Sequence, residues 1–126
     1  MNRRTKPMDD GRPIFLQIAE QIETAIIDGS LPEETQVPST NELAAFHRIN
    51  PATAAKGVNQ LVDDGVLHKR RGIGMFVSPG ARARLRQRRR DRFGEQYLRP
   101  LLAEAARLGI DPAELKTMID RYEEQR

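Results

Sequence analysis

The 126-residue chain contains no cysteine and no tryptophan, only two histidines, and aromatic residues make up just 5% of it. Without cysteine it has no disulfides, iron–sulfur clusters or thiolate zinc sites, and His47 and His68 stand too far apart in sequence to advertise a metal centre or a cofactor. No stretch of about 20 apolar residues occurs, and the opening MNRRTKPMDD lacks the apolar segment of a signal peptide. The chain is therefore expected in the cytoplasm, with no membrane role. Enzyme signatures are missing as well. There is no HExxH, no GxSxG and no nucleophile with a base and an orienting partner, and Asp63-Asp64 alone does not make a metal cage. Gly72-Ile73-Gly74 lacks the further glycine spacing of a dinucleotide loop and the Lys-Ser/Thr of a P-loop. The chain reads as a non-enzyme.

What is present fits one compact domain with a small appendage. Hydrophobic residues at 38% and charged residues at 31% allow a modest core that good packing or self-association must complete. The net charge of +3 is unevenly placed. Residues 1–78 carry 9 basic and 10 acidic side chains, whereas 79–126 carry 12 and 8. A division at Ser78-Pro79-Gly80 follows, and basic charge without aromatic richness favours a polyanion over a membrane.

Residues 1–12 hold almost nothing to bury and read as a flexible arm. From Pro13, the apolar stripe Ile14, Phe15, Ile18, Ile22, Ala25 and Ile26 predicts an amphipathic helix over 13–28, ended by Gly29. Thr35-Gln36-Val37, held extended by Pro38, predicts a very short strand able to pair with a later hairpin. Ser39 and Glu42 have capping-box spacing for a helix over 40–47, with Leu43, Ala44 and Phe46 toward a core. Asn50 and Pro51 open another helix at once. Its apolar side is Ala54, Ala55, Val58, Leu61 and Val62, and Gly65 ends it. Residues 66–78 read as two strands around a glycine-punctuated tip. Helix, short strand, helix, tight turn, helix and hairpin is the order of a winged helix-turn-helix over 13–78. The fold class is mainly α with a small β-hairpin, followed by a two-helix tail.

That tail, 79–126, is helix-prone. Phe93, Tyr97, Leu101, Ala105 and Leu108 make one apolar face, Pro100 is expected to kink or interrupt the helix, and Gly109 closes it. Asp111 and Pro112 open a last helix with Leu115, Met118, Ile119 and Tyr122 on its apolar side. Such a hairpin buries little by itself, so these nine residues are expected to pack against a second copy of the chain.

In a helix-turn-helix the second helix enters the major groove by its N-terminal part. Ala52, Thr53 and Lys56 are the base-facing candidates, assisted by Asn50, Asn59 or Gln60. Lys56 can donate to guanine or phosphate, and Ala52 can touch a thymine methyl. His47 and Arg48, at the turn, suit phosphate contact, although His47 more simply reads as a partly buried or surface histidine. Ser39, Thr40 and Asn41 sit where a helix N-terminus meets an anion. Lys69, Arg70 and Arg71, before the flexible Gly72, place positive charge at the hairpin tip for phosphates or a minor groove. The competing reading of each is a solvated surface. Seven arginines lie within 82–92; they cannot all share one face, and phosphates or partner carboxylates such as Glu95, Glu104 and Glu114 are their candidate targets.

The segments PIFLQIAEQIETAIIDGSL and VPSTNELAAFHRINPATAAKGVNQLVDDGVLHKRRGIGMFV, covering residues 13–77, resemble the GntR family of bacterial transcription regulators. FGEQYLRPLLAEAARLGI further resembles the short dimerisation tail of its YtrA-like subfamily. The resemblance implies a homodimer binding a roughly palindromic double-stranded operator, usually as a repressor of its own operon and neighbouring transporter genes. It also implies residues 50–62 in the major groove and 66–77 as the wing. Arg71 matches the basic residue before the family's Gly-x-Gly, whereas Asn41 stands where the family commonly has arginine. No small-molecule effector is specified. Two other readings compete: a winged-helix protein-interaction module, and a sequence-nonspecific nucleoid-like binder.

Overall fold

A computed structural model describes residues 11–126. The expected flexible arm therefore lies outside the described residues, save its last two positions. The chain divides into two compact units, one ending at Arg86 and one covering Gln87–Arg126.

The first unit begins with α1 (Ile14–Asp28), which starts after Pro13 and stops where Gly29 turns left-handed at φ 91°. Helix α2 (Thr40–His47) carries the full capping box. The Glu42 amide donates to Ser39 Oγ at 3.1 Å, and the Ser39 amide donates to Glu42 Oε1 at 2.8 Å. Arg48 then takes a left-handed conformation at φ 56°, and the Ile49 amide donates back to the Ala44 carbonyl at 3.0 Å. That wrap closes α2 and delivers the chain to Asn50, whose Oδ1 accepts from the Ala52 amide at 2.7 Å. Helix α3 (Pro51–Asp63) follows.

Strands β1 (Leu67–Arg70) and β2 (Gly74–Val77) pair antiparallel, with Leu67 opposite Val77 and Arg70 opposite Gly74. The segment before α2 joins them as expected. Gln36 bridges to Phe76, and the Val37 amide donates to the Met75 carbonyl at 2.9 Å.

The core consists of Ile18, Ile22 and Ile26 from α1, Leu43 and Ala44 from α2, Ala54, Val58 and Leu61 from α3, and Val37, Val66, Leu67 and Val77 around the hairpin. Each fully buried Ile or Leu is worth about 1.5–3 kcal/mol over its exposed state, so the α1–α3 contact, carrying Ile18, Ile26 and Leu61, dominates the unit. Phe46 does not join this core; it is 74% exposed, edge-on to His47. At 100° per residue it lies about 110° round α2 from the midpoint of Leu43 and Ala44, whereas His47 lies almost on that midpoint. His47 accordingly is the half-buried one.

Helix α4 (Ala81–Phe93) enters the same core through Ala81 and Leu85. The change of sequence character at Ser78-Pro79-Gly80 thus precedes the structural division after Arg86 by less than two turns of helix. Beyond α4 comes a π-helical turn, Gly94–Leu98, then α5 (Arg99–Arg107). The interruption expected from Pro100 takes this form. Proline offers no amide and crowds the carbonyl four residues back, and the preceding amide, Arg99, reaches the Gly94 carbonyl five residues away. Gly109, at φ 73°, turns the chain into α6 (Pro112–Glu124), capped by Asp111 Oδ1 accepting from the Glu114 amide at 2.8 Å. Ala105 is buried in this unit, and most of its larger apolar side chains are not.

Candidate nucleic-acid interface

Helix α3 is two-faced. Ala54, Gly57, Val58 and Leu61 turn inward. At 100° per residue, Ala52, Thr53, Lys56, Asn59 and Gln60 share the opposite face within about 120°, and all but the half-buried Thr53 are exposed. Asp63 lies on that face too, at the C-terminal end. A carboxylate there repels a polyanion, so the face is electrostatically fit for DNA only over its N-terminal turns. Asn50 is exposed beside them; with its Oδ1 engaged as the cap, its amide N–H groups are what it can offer a base or phosphate.

At the start of α2, Ser39 and Asn41 are exposed and Thr40 is half-buried. Ser39 Oγ accepts from Glu42, which leaves its hydroxyl proton able to donate to an anion. Arg48 is exposed at the turn. Burial depresses the pKa of the neighbouring His47 below the usual histidine range. At neutral pH it is therefore an uncharged group, a weaker phosphate contact than the sequence suggested.

In the hairpin, Lys69, Arg71 and Gly72 are exposed at the tip, together with Ile73. Gly72 is left-handed at φ 74° and Gly74 lies at φ 143°, conformations that L side chains adopt only under strain. Arg70 is differently engaged. Its Nη2 donates to Glu34 Oε1 at 2.9 Å, and its guanidinium carbon sits 4.0 Å above the Phe76 ring. The exposed pair is worth little in energy, but it directs Arg70 along the hairpin, leaving Lys69 and Arg71 as the more available charges. Gln36 Nε2 donates to the Ile73 carbonyl at 2.9 Å and braces the tip. Sequence reasoning expected the segment around Gln36 to meet the hairpin but missed the side chains of Glu34 and Gln36 as wing-organising, since no spacing rule links side chains this far apart.

The arginine run is also partly structural. Arg82 Nε donates to the Ile27 carbonyl at 2.9 Å, and Arg84 Nη2 to the Gly65 carbonyl at 2.8 Å. Farther along, Glu95 pairs with Arg99 at 2.7 Å and Glu104 with Arg107 at 2.9 Å within the chain. The Arg99 guanidinium holds the Glu95 carboxyl below the usual carboxylate range.

In the second unit, Phe93, Tyr97, Leu101, Leu108, Ile119 and Tyr122 are exposed, Leu115 and Met118 are half-buried, and Ala105 is buried within its own helical hairpin. Leu101, Leu115, Met118, Ile119 and Tyr122 line an open apolar groove of about 470 Å³.

An amphipathic second helix reached through a tight turn, with a basic hairpin beside it, defines a winged helix-turn-helix DNA-binding module, and among the described residues no helix is long and apolar enough to cross a membrane. The family model described as "Bacterial regulatory proteins, gntR family" matches residues 15–77, half of the chain. The protein belongs to the GntR family and is a non-catalytic, DNA-binding regulator. Over 107 residues it is 29% identical to the HTH-type transcriptional repressor YtrA of Bacillus subtilis (strain 168), covering 85% of this chain and 82% of that one. Over 66 residues it is 38% identical to the repressor NagR of the same organism, an alignment covering 52% of this chain but only 27% of NagR. Among solved structures, a GntR-family transcriptional regulator from Bacteroides thetaiotaomicron superposes with a TM-score of 0.69 at 29% identity, covering 89% of this chain and 97% of that one.

Proposed function

We propose that the protein is a homodimeric, sequence-specific repressor of the YtrA-like kind, which presents two copies of α3 to the half-sites of a palindromic operator. The observation that carries this reading is the single polar face of α3, open to solvent in its N-terminal turns and flanked by the exposed Lys69 and Arg71 of the wing. Lys56, Thr53, Ala52 and Asn50 read base edges. Ser39, Thr40, Asn41, His47 and Arg48 approach phosphates around the start and end of α2, and Lys69, Arg70, Arg71 and Gly72 bring the wing to the backbone or minor groove. Occupying a promoter this way excludes polymerase or blocks promoter opening without chemistry. The likeness to a protein named as a repressor, over 85% of this chain and 82% of that one, supports the sign of regulation, and its own operon with neighbouring transporter genes is the proposed target.

The second unit supplies the dimer. Phe93, Tyr97, Leu101, Leu108, Ile119 and Tyr122 are exposed, with Leu115 and Met118 half-buried beside them, a contiguous set of apolar side chains for a second copy to cover. Ala105 supports that surface from within.

Selection of genomic fragments by the purified protein tests the reading. One enriched palindrome is the expected result. Broad enrichment would instead indicate a nonspecific nucleoid-like binder, and no enrichment a protein-interaction module.

A further inference from the structure

We propose that Phe15, on the first turn of α1, is a positioning residue for sequence recognition: its ring orders the Lys56 side chain before DNA arrives. The proposal rests on the reading of α3 as the groove-facing helix. Lys56 Nζ lies 4.2 Å from the centroid of the Phe15 ring, well inside the range in which a cation is attracted to an aromatic face. Phe15 is half-buried and Lys56 is exposed, so the ring covers one side of the ammonium and leaves the other open.

The juxtaposition has a cause in the next residue of α3. Gly57 is buried, and a Cβ built there would stand 2.7 Å from the Phe15 carbonyl oxygen and 3.3 Å from Ile18 Cβ. Only a residue without a side chain lets α3 lie this close to the first turns of α1, and that approach brings position 56 over the ring. The consequence concerns entropy. A lysine has a four-carbon stem with many rotamers, and ordering it at an interface subtracts from the affinity gained. A stem already restrained by the ring loses less on binding. The benefit falls on the contact that discriminates among duplexes, because a mispositioned ammonium can still find some phosphate but not a particular base edge.

Equilibrium binding of the full-length protein to its selected duplex and to a scrambled duplex, at one salt concentration, tests this. The series is wild type, Phe15→Leu, Phe15→Tyr, Lys56→Ala and the Phe15→Leu/Lys56→Ala double variant. The ratio of the two Kd values on one sample is the readout, since partial unfolding affects both alike. Phe15→Leu should lower the preference by about two- to fivefold, Phe15→Tyr should retain it, and Phe15→Leu should cost nothing further once Lys56 is alanine. Unchanged preference in Phe15→Leu with reduced preference in Lys56→Ala overturns the role of Phe15 alone. Equal losses from Phe15→Leu with and without Lys56 overturn it too, since the ring then acts through packing. Unchanged preference in Lys56→Ala removes both the base-reading role of Lys56 and the inference built on it.

Discussion

Arg84 on α4 donates through Nη2 to the carbonyl of Gly65 at 2.8 Å, just past the end of α3. Two residues earlier, Arg82 does the same for the Ile27 carbonyl in the last turn of α1. Both guanidiniums meet carbonyls at the negative ends of helices, where a cation is favourably placed. They tie the first turns of α4 to the helices that carry the core, and Leu85 is buried on the same stretch. Arg84→Ala should therefore lower stability by about 1 kcal/mol, seen as an earlier midpoint in urea with an unchanged slope. No shift of the midpoint would remove Arg84 from the fold's supports.

The wing tip depends on two backbone conformations and one side chain. Gly74→Ala must hold φ near 143° and bring a Cβ to 2.5 Å from Gln36 Nε2, displacing the donor that braces the Ile73 carbonyl. The expected cost is about 1–3 kcal/mol, with faster amide exchange along Met75–Val77. Gln36→Ala should speed exchange at the tip without the backbone strain; protection equal to wild type in both variants would contradict the brace.

Lys56 and Arg71 should separate in parallel titrations. Lys56→Ala is expected to weaken the preferred duplex by about 1–3 kcal/mol more than a scrambled one, whereas Arg71→Ala should weaken both alike and flatten the salt dependence by about one unit per protomer. For a dimer neutralising roughly eight phosphates the parent slope of log affinity against log salt is about −7. A uniform loss in Lys56→Ala would reassign it to the backbone.

His47 gives a pH signature. Its folded-state pKa is depressed by burial, so between that value and the ordinary histidine pKa of about 6.5 the unfolded chain binds the extra proton. Stability is therefore full above the ordinary value and is lost as pH falls through it toward the depressed one. A pH series of urea unfolding should show this decline, and His47→Gln should reduce it. An NMR titration placing His47 above the ordinary value would reverse the sign.

The apolar groove of the second unit should carry the dimer. Leu101→Glu puts a carboxylate among Leu115, Met118 and Tyr122 and should shift the sedimenting mass to that of a monomer, with operator affinity falling by more than tenfold. A dimeric Leu101→Glu would place the interface elsewhere.

Much of the first unit was legible in the sequence because its signals are local. Ser39 and Glu42 sit one helical turn apart and Asn50 precedes Pro51, and each pair forms the cap that its spacing predicts. The segment Thr35-Gln36-Val37 found its hairpin, as a single bridge from Gln36 to Phe76 rather than a strand. Phe46 misled because its apolar character was followed over the helical angle: with Leu43 and Ala44 inward, the third position on that face is His47, not Phe46. Pro100 announced an interruption, but the π-helical turn before it is a matter of which carbonyl the Arg99 amide reaches once the proline crowds the preceding turn.

The order of caps, apolar stripes and glycines along the chain determined by itself the helices, the hairpin and which face of α3 stays polar, because those properties depend on residues within a turn or two of one another. The partners of the charges were decided only in three dimensions. Arg70 meets Glu34 and Phe76, Arg84 meets Gly65, and Lys56 rests on Phe15. Long basic side chains choose among every acceptor and ring within reach, and that set exists only once the helices have packed.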